Sequence, residues 1–453
     1  MKVLSVKGFS VITAMALCVV SALIVQMGHT STVDAPVMGL DVRPENRTIL
    51  VPGPGYGDIQ IRVTAPDMLI VGDRPLLNLA LVIDKSGSMN DEGKMEYARQ
   101  AAHQLVDRLG KDDILSIVTY DHTVQVVWPA RLVTDRQRLH RIIDGIYAGG
   151  RTFLSGGLEQ GFRQAKVGRR KGYLNRVLLL SDGLANVGVV DREKLRKRAS
   201  QMAERNISIS TFGLGYEFDE DLLSRVARGG GGSYYYIANP SDMVAALKRE
   251  FHMASSTVAT DVEIIIRLHG NSRFHSATGH SWRSEGSSIV IGLGDLSAGE
   301  SRTLMARLNV PAKEMGDLKV ADVSVRYRDP KSGNQLSREP DPVSLEVVQD
   351  HQIHQESYDD RVREKKAVLE SNADLDEAAR MVDKGNREGA LSILGIAAEA
   401  LKSAPPEPSV QAEIQKNEEY QDQIRRMDRM EESEVKEMQK DIKYRSYQNL
   451  YQQ

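Results

Sequence analysis

The stretch LALVIDKSGSM, residues 79–89, decides the fold because it joins an apolar run to a cluster of oxygen-bearing side chains. The five apolar residues 79–83 are typical of a strand buried on both faces, as in parallel sheets covered by helices. Asp84, Ser86 and Ser88 follow directly. Side chains just after such a strand lie at the carboxyl edge of the sheet, where open α/β folds bind their ligands.

Two further side chains belong to this cluster by the same reasoning. Thr152 lies in AGGRTFLSGG, residues 148–157, and Asp182 follows the apolar run in VLLLSDG, residues 177–183. Two carboxylates and three hydroxyls form a hard, oxygen-only set that suits Mg²⁺, Ca²⁺ or Mn²⁺. The sequence therefore predicts one divalent-cation site. The alternative is that Asp84 and the serines merely cap a following helix.

Such a site has a chemical consequence. Mg²⁺ prefers about six oxygen ligands and gives up water reluctantly, so this set leaves at least one position for an outside ligand. An Asp or Glu carboxylate of a protein partner would complete the coordination through a charge-assisted contact. The predicted partner is therefore a protein that presents an acidic residue.

Strands and helices alternate over residues 77–252, which is typical of a doubly wound, mostly parallel sheet of the α/β class. The run at 124–128 follows the strand at 114–119 too closely for a helical crossover, so it is predicted to be an antiparallel edge strand. The other predicted strands cover 79–83, 177–180 and 207–214. Helices are expected after the first strand and near 135–147, 155–166, 191–205, 219–228 and 241–252.

The residue patterns on both sides of the α/β region predict β structure. Residues 258–350 contain several short strands separated by turns, which indicates a β-sandwich. The segment 38–75 is too small to bury a core alone, so we expect it to pair with the later sandwich. The α/β domain would then be inserted between the two β segments.

The residue pattern of the C-terminal part predicts helices. Small and apolar residues recur at helical spacing over 355–403 and predict a helical hairpin resembling a single tetratricopeptide unit. Residues 410–447 predict a charge-rich helix with a thin apolar stripe, which is expected to be solvated; a partner-binding helix is the alternative.

The N-terminal residues 1–30 are predicted to be a signal peptide or a membrane anchor. Lys2 and Lys7 precede an apolar run over 9–27, whose length of about 19 residues suits either role. Both interpretations predict an exported protein in the periplasm, in the cell envelope or outside the cell. Membrane contact is expected only through this segment. The single cysteine, Cys18, lies within it and excludes a disulfide framework.

Composition and motifs argue against other classes. A net charge of -3, from 59 basic and 62 acidic residues, provides no overall attraction for nucleic acid. The chain has neither the H-E-x-x-H motif of zinc proteases nor the G-x-S-x-G motif of serine hydrolases. We therefore expect a binding protein and not an enzyme.

The order Asp-x-Ser-x-Ser, distant Thr, distant Asp resembles the metal-ion-dependent adhesion site of von Willebrand factor type A domains. The resemblance covers about 77–252, and the flanking β segments look like bacterial exported members. More distantly, the chain is similar to the inter-alpha-trypsin inhibitor heavy chains and the calcium-activated chloride channel regulators. The resemblance implies that Ser86, Ser88 and Thr152 ligate the ion directly, while Asp84 and Asp182 hold waters or switch between shells.

Two functions are consistent with these observations. The first is an exported, cation-dependent protein-binding protein, used for adhesion or assembly, that captures a partner's acidic residue at the metal site. The second is an envelope scaffold that binds its partner through the C-terminal helices, with a structural or vestigial metal site.

Overall fold

The computed structural model describes residues 37–53, 55–67 and 74–451. The predicted signal or anchor segment at 1–30 lies outside this range. In the described part of the chain, no helix combines the length and apolarity needed to cross a bilayer.

The secondary structure follows the predicted sequence of β, α/β, β and helical regions. In chain order the strands are β1 (Gly39–Pro44), β2 (Thr48–Leu50), β3 (Tyr56–Thr64), β4 (Leu76–Asp84), β5 (Ile114–Tyr120), β6 (Val124–Leu132), β7 (Tyr173–Ser181), β8 (Ser208–Leu214), β9 (Gly231–Ile237), β10 (Thr257–Leu268), β11 (Arg273–Ala277), β12 (Arg283–Glu285), β13 (Ser288–Ser297), β14 (Ser301–Asn309), β15 (Gly316–Arg328) and β16 (Gln335–Val348). The α-helices are α1 (Lys94–Arg108), α2 (Arg136–Asp144), α3 (Leu154–Val167), α4 (Arg192–Ala203), α5 (Glu220–Gly229), α6 (Met243–Ser255), α7 (His351–Glu356), α8 (Asp360–Asp383), α9 (Arg387–Lys402), α10 (Pro408–Arg426) and α11 (Glu432–Tyr451).

The α/β domain is built on a six-stranded sheet in the order β6-β5-β4-β7-β8-β9. All neighbours pair in parallel except β5 and β6, which pair antiparallel at the edge. This arrangement confirms the predicted fold class. β4 lies between β5 and β7, and every residue from Leu77 to Asp84 is buried, as expected for a strand covered on both faces.

Helices cover both faces of this sheet. Met95, Ala98 and Leu105 of α1 pack with residues of α2 and α6 in one apolar cluster. Residues of α3, α4 and α5 form a second cluster with the opposite side chains of the strands. A 3₁₀ segment, Gly87–Gly93, separates β4 from α1, so the serines of the predicted site lie on a turn and not inside a regular helix.

Two further sheets surround a separate apolar core, in the orders β1-β3-β14-β11 and β12-β13-β10-β15-β16-β2. β3 pairs with β14 along nine residues, from Tyr56 opposite Asn309 to Thr64 opposite Ser301. Strands from before and after the α/β domain therefore share the same sheets. The apolar side chains of Ile61 and Leu304, which are opposite one another, both face this core.

The C-terminal region differs from the prediction of one solvated helix over 410–447, which is wrong. The structure contains two helices there, α10 and α11, and α11 buries residues along much of its length. Tyr447 packs in the same apolar cluster as the α/β domain, and Leu450 packs with Met305 of β14. The sequence pattern concealed this contact because five of the eight buried residues of α11 carry polar groups, among them Lys440, Lys443 and Tyr447. The apolar parts of such side chains pack while their polar ends find partners.

Candidate metal centre

The loops that carry the predicted ligands meet at the carboxyl edge of the central sheet. The amide of Gly87 donates to the carbonyl of Gly150 over 3.0 Å, and the amide of Gly149 donates to the carbonyl of Lys85 over 2.7 Å. Gly150 has φ +90°, and a Cβ there would lie 2.5 Å from Nδ1 of His122. Only glycine fits this conformation and space, so the contact between the two loops depends on it.

Asp84 is buried at the end of β4 and is held by two hydrogen bonds. Its Oδ1 accepts from the amide of Ser86 and its Oδ2 from the hydroxyl of Ser181, each over 2.9 Å. Burial raises the pKa of Asp84 to about 6, and the charge of Asp182 adds to the effect. The carboxylate is therefore fixed in place, and no cationic side chain in the described part of the chain forms an ion pair with it.

The serine hydroxyls face each other and Asp182. Oγ of Ser86 lies 3.2 Å from Oγ of Ser88, which donates to Oδ1 of Asp182 over 2.9 Å. The side chain of Ser86 makes no capping hydrogen bond to the following 3₁₀ segment. The helix-capping alternative does not account for these hydroxyls.

Thr152 completes the group from the opposite loop. A Cβ placed on Gly183 would lie 3.2 Å from Oγ1 of Thr152 and 3.6 Å from Oγ of Ser88. Both hydroxyls thus surround one small space that any side chain at position 183 would enter. The structure brings all five predicted residues together around this cradle, and Gly87 and Leu184 beside it are exposed to solvent.

Two residues of the site were missed by the sequence reasoning. Nζ of Lys94 donates to Oδ2 of Asp182 over 3.2 Å, and both side chains are buried. Oδ1 of Asn186 accepts from the amide of Thr152 over 3.0 Å and holds that loop in place. The position of Lys94 could have indicated this contact. A cation in the first turn of a helix opposes the helix dipole, so a nearby anion is expected.

The donor set fits a hard divalent cation. Asp84 and Asp182 supply two buried carboxylates against the one ammonium of Lys94, and burial also raises the pKa of Asp182. Among the described residues, no group of three or more His, Cys, Asp or Glu side chains is arranged to hold an ion. The neutral hydroxyls therefore form an essential part of the set, which favours oxygen-loving ions.

Comparison with known proteins identifies the domain that carries these residues. Residues 78–249 match the model of the von Willebrand factor type A domain. The chain therefore contains a von Willebrand factor type A domain, a class that indicates protein–protein interaction or adhesion.

Individual relatives place the domain in different settings. The "Uncharacterized protein sll0103" of Synechocystis is 28% identical over 351 residues, which are 75% of this chain and 82% of the relative. Inter-alpha-trypsin inhibitor heavy chain H2 of Mus musculus is 29% identical over 195 residues, 41% of this chain but 20% of that protein. E3 ubiquitin-protein ligase WAV3 of Arabidopsis thaliana is 26% identical over 331 residues, 66% of this chain and 42% of the relative.

A solved structure shows the same architecture over almost the whole chain. It is a von Willebrand factor type A protein from Catenulispora acidiphila, with a TM-score of 0.72 at 15% identity. The match covers 92% of this chain and 98% of the other, so the surrounding sheets and helices belong to the shared fold.

Proposed function

We propose that this protein is an exported, divalent-cation-dependent binding protein that captures an Asp or Glu side chain of a protein partner at the metal centre. The convergence of five side-chain oxygens from three loops, beside an exposed surface, carries this proposal. The predicted signal or anchor segment at 1–30 supports delivery to the periplasm, the cell envelope or the outside of the cell.

The residues have distinct roles in this proposal. Ser86, Ser88 and Thr152 would ligate Mg²⁺ directly, with Ca²⁺ or Mn²⁺ as alternatives, while Asp84 and Asp182 would hold bound waters. Because the direct ligands are neutral, the ion keeps most of its charge for an incoming carboxylate.

The surface beside the centre suits a protein partner. Tyr147 is 72% exposed and Leu184 is 56% exposed, and both belong to the loops that build the site. Exposed apolar side chains next to a polar anchor point are typical of interfaces, where aromatic residues contribute strongly to binding. We infer that the partner's acidic residue has apolar neighbours. The role proposed for the site is binding.

The test is a pull-down from envelope extract with the full chain, with Mg²⁺ or with EDTA. Partner capture should be lost in EDTA and in Ser88→Ala, and retained in Asp317→Ala, which changes an exposed side chain of β15. Capture that persists in EDTA would contradict the proposal.

The scaffold alternative has one observation in its favour: Ile396 of α9 is 69% exposed. Deleting the helices would not separate the two functions, because α11 is part of the apolar cluster of the α/β domain. Ile396→Asp tests the alternative without disturbing that core. Loss of capture in Ile396→Asp, together with retention in Ser88→Ala, would favour the scaffold.

A further inference from the structure

A pair of histidines, each in contact with one aspartate, lies on the outer surface of the α/β domain, between α1 and α2. His103 of α1 and His140 of α2 face each other with their Nδ1 atoms 2.6 Å apart and ring centroids 4.8 Å apart. Nε2 of His103 lies 2.9 Å from Oδ1 of Asp144, and Nε2 of His140 lies 3.1 Å from Oδ1 of Asp107. None of these residues contributes to the oxygen centre described above.

The hydrogen-bond partners determine which ring nitrogens carry hydrogen. An ionised carboxylate only accepts hydrogen bonds, so each Nε2 that contacts Asp107 or Asp144 must be the donor. A neutral imidazole has a single N–H, which leaves a lone pair on each Nδ1. Two lone pairs pointing at each other over 2.6 Å repel, so the arrangement requires a positive centre between the rings, which is either a proton that makes one ring an imidazolium or a bound cation.

We propose that His103 and His140 bind one late first-row divalent cation, such as Zn²⁺, Ni²⁺ or Cu²⁺, through their Nδ1 atoms. Imidazole nitrogen suits these ions, whereas the oxygen centre suits Mg²⁺. Asp107 and Asp144 take the outer-shell role that carboxylates play behind metal-ligating histidines, fixing the tautomer and the ring orientation.

The geometry and exposure allow an ion to enter. Metal–nitrogen bonds of about 2.0–2.1 Å in a tetrahedral site place the two nitrogens roughly 3.3 Å apart, so the rings need to separate by less than 1 Å. The side chains of His103 and His140 are 26% and 30% exposed. Water fills the remaining coordination positions, so the site is open on its solvent side.

The test uses the full chain in excess Mg²⁺, titrated with Zn²⁺ by calorimetry and with Cu²⁺ by electron paramagnetic resonance. One ion per chain should bind, and the Cu²⁺ spectrum should show coupling to two nitrogens. His103→Gln and His140→Gln should each weaken binding at least about tenfold, and Asp107→Asn should weaken it by about tenfold. Asp84→Ala should leave this binding intact, which separates the site from the oxygen centre.

His269→Gln is the matched control. His269 also contacts a carboxylate, Asp322, over 2.7 Å, but no second histidine ring is paired with it among the ring contacts of the described residues. Loss of the His269 side chain should not change the affinity of the protein for Zn²⁺. Zn²⁺ binding that is unaffected in both His103→Gln and His140→Gln, or a Cu²⁺ spectrum without the two-nitrogen coupling, would overturn the proposal and leave a shared proton between the rings.

Discussion

Lys94 donates a hydrogen bond to Asp182 over 3.2 Å in the interior of the metal centre, where their side chains are 6% and 0% exposed. The ammonium thus neutralises one of two buried carboxylates without occupying the space among the hydroxyls. A cation in that space and the ammonium of Lys94 would share the charge of Asp182. We therefore expect the ammonium to stabilise the metal-free protein and to lower the affinity of the site for metal.

Replacing Lys94 tests whether its ammonium stabilises the metal-free protein and lowers the affinity for metal. Lys94→Met should destabilise the metal-free protein by about 3–5 kcal/mol, because Asp182 is left buried without its cation. The same variant should gain more stability from Mg²⁺ than the wild type does. Thermal unfolding with EDTA and with Mg²⁺ measures both effects. Lys313→Met, which changes an exposed residue, is the control and should behave like the wild type.

A substitution at Gly183 tests whether the metal ion occupies the space beside the hydroxyls of Thr152 and Ser88. Gly183→Ala places a methyl group 3.2 Å from Oγ1 of Thr152, so it should abolish Mg²⁺ binding while changing the unfolding free energy by less than about 1 kcal/mol. Mn²⁺ titration by electron paramagnetic resonance measures the affinity. Gly292→Ala is a matched control, because no atom lies within 4 Å of its added Cβ. Equal Mn²⁺ affinity in both variants would place the ion elsewhere.

The docking of α11 should depend on pH through Glu220. Its carboxylate contacts Lys440 and Lys443; burial acts to raise the pKa of Glu220, but these two charges outweigh burial and lower it to about 2. Since the folded-state pKa lies below the ordinary value, the stabilisation is complete above about pH 4.5 and is lost as pH falls towards 2. Its size is on the order of 3 kcal/mol.

Acid titration of unfolding measures this dependence. The wild type should lose stability over that interval, and Glu220→Gln should be less stable at neutral pH and show a flatter profile. Parallel profiles for the two proteins would mean that Glu220 does not link α11 to the α/β domain.

Alanine substitutions at two tyrosines should distinguish an effect on protein stability from an effect on partner binding. Tyr447 is buried and its ring packs edge-on against Tyr234 with centroids 5.4 Å apart, so Tyr447→Ala should cost about 3–5 kcal/mol. Tyr147, at 72% exposed, should change stability by less than about 0.5 kcal/mol when replaced by alanine, yet it should weaken partner capture. Chemical denaturation and pull-down, run on both variants, distinguish the two roles.

The sequence predicted the centre of the fold well because its signals are local and strong. β4 contains the continuous apolar run 79–83 and ends at Asp84. Parallel strands bring their carboxyl ends to one edge, so Thr152 and Asp182 could be predicted to lie at the same site. Lys94 and Asn186 could not be found in this way. Their roles depend on which loops approach each other, and one sequence records residue type and spacing but not that approach.

The packing of α11 was beyond prediction for a different reason. Lys440 and Lys443 are buried against Glu220, which lies more than 200 positions earlier in the chain, and Lys443 also pairs with Asp383. A periodicity argument counts such lysines as solvated. The His103–His140 pair was equally hidden, since two histidines 37 positions apart indicate nothing until two helices place them side by side.

The position of α11 also affects how the protein is made. Phe218 and Tyr234 pack in the α/β domain with residues of α11, so a chain synthesised only as far as residue 431 keeps this aromatic surface open. Chaperones and proteases recognise such surfaces. Prematurely terminated products would therefore be removed, although every residue of the metal centre had already been synthesised.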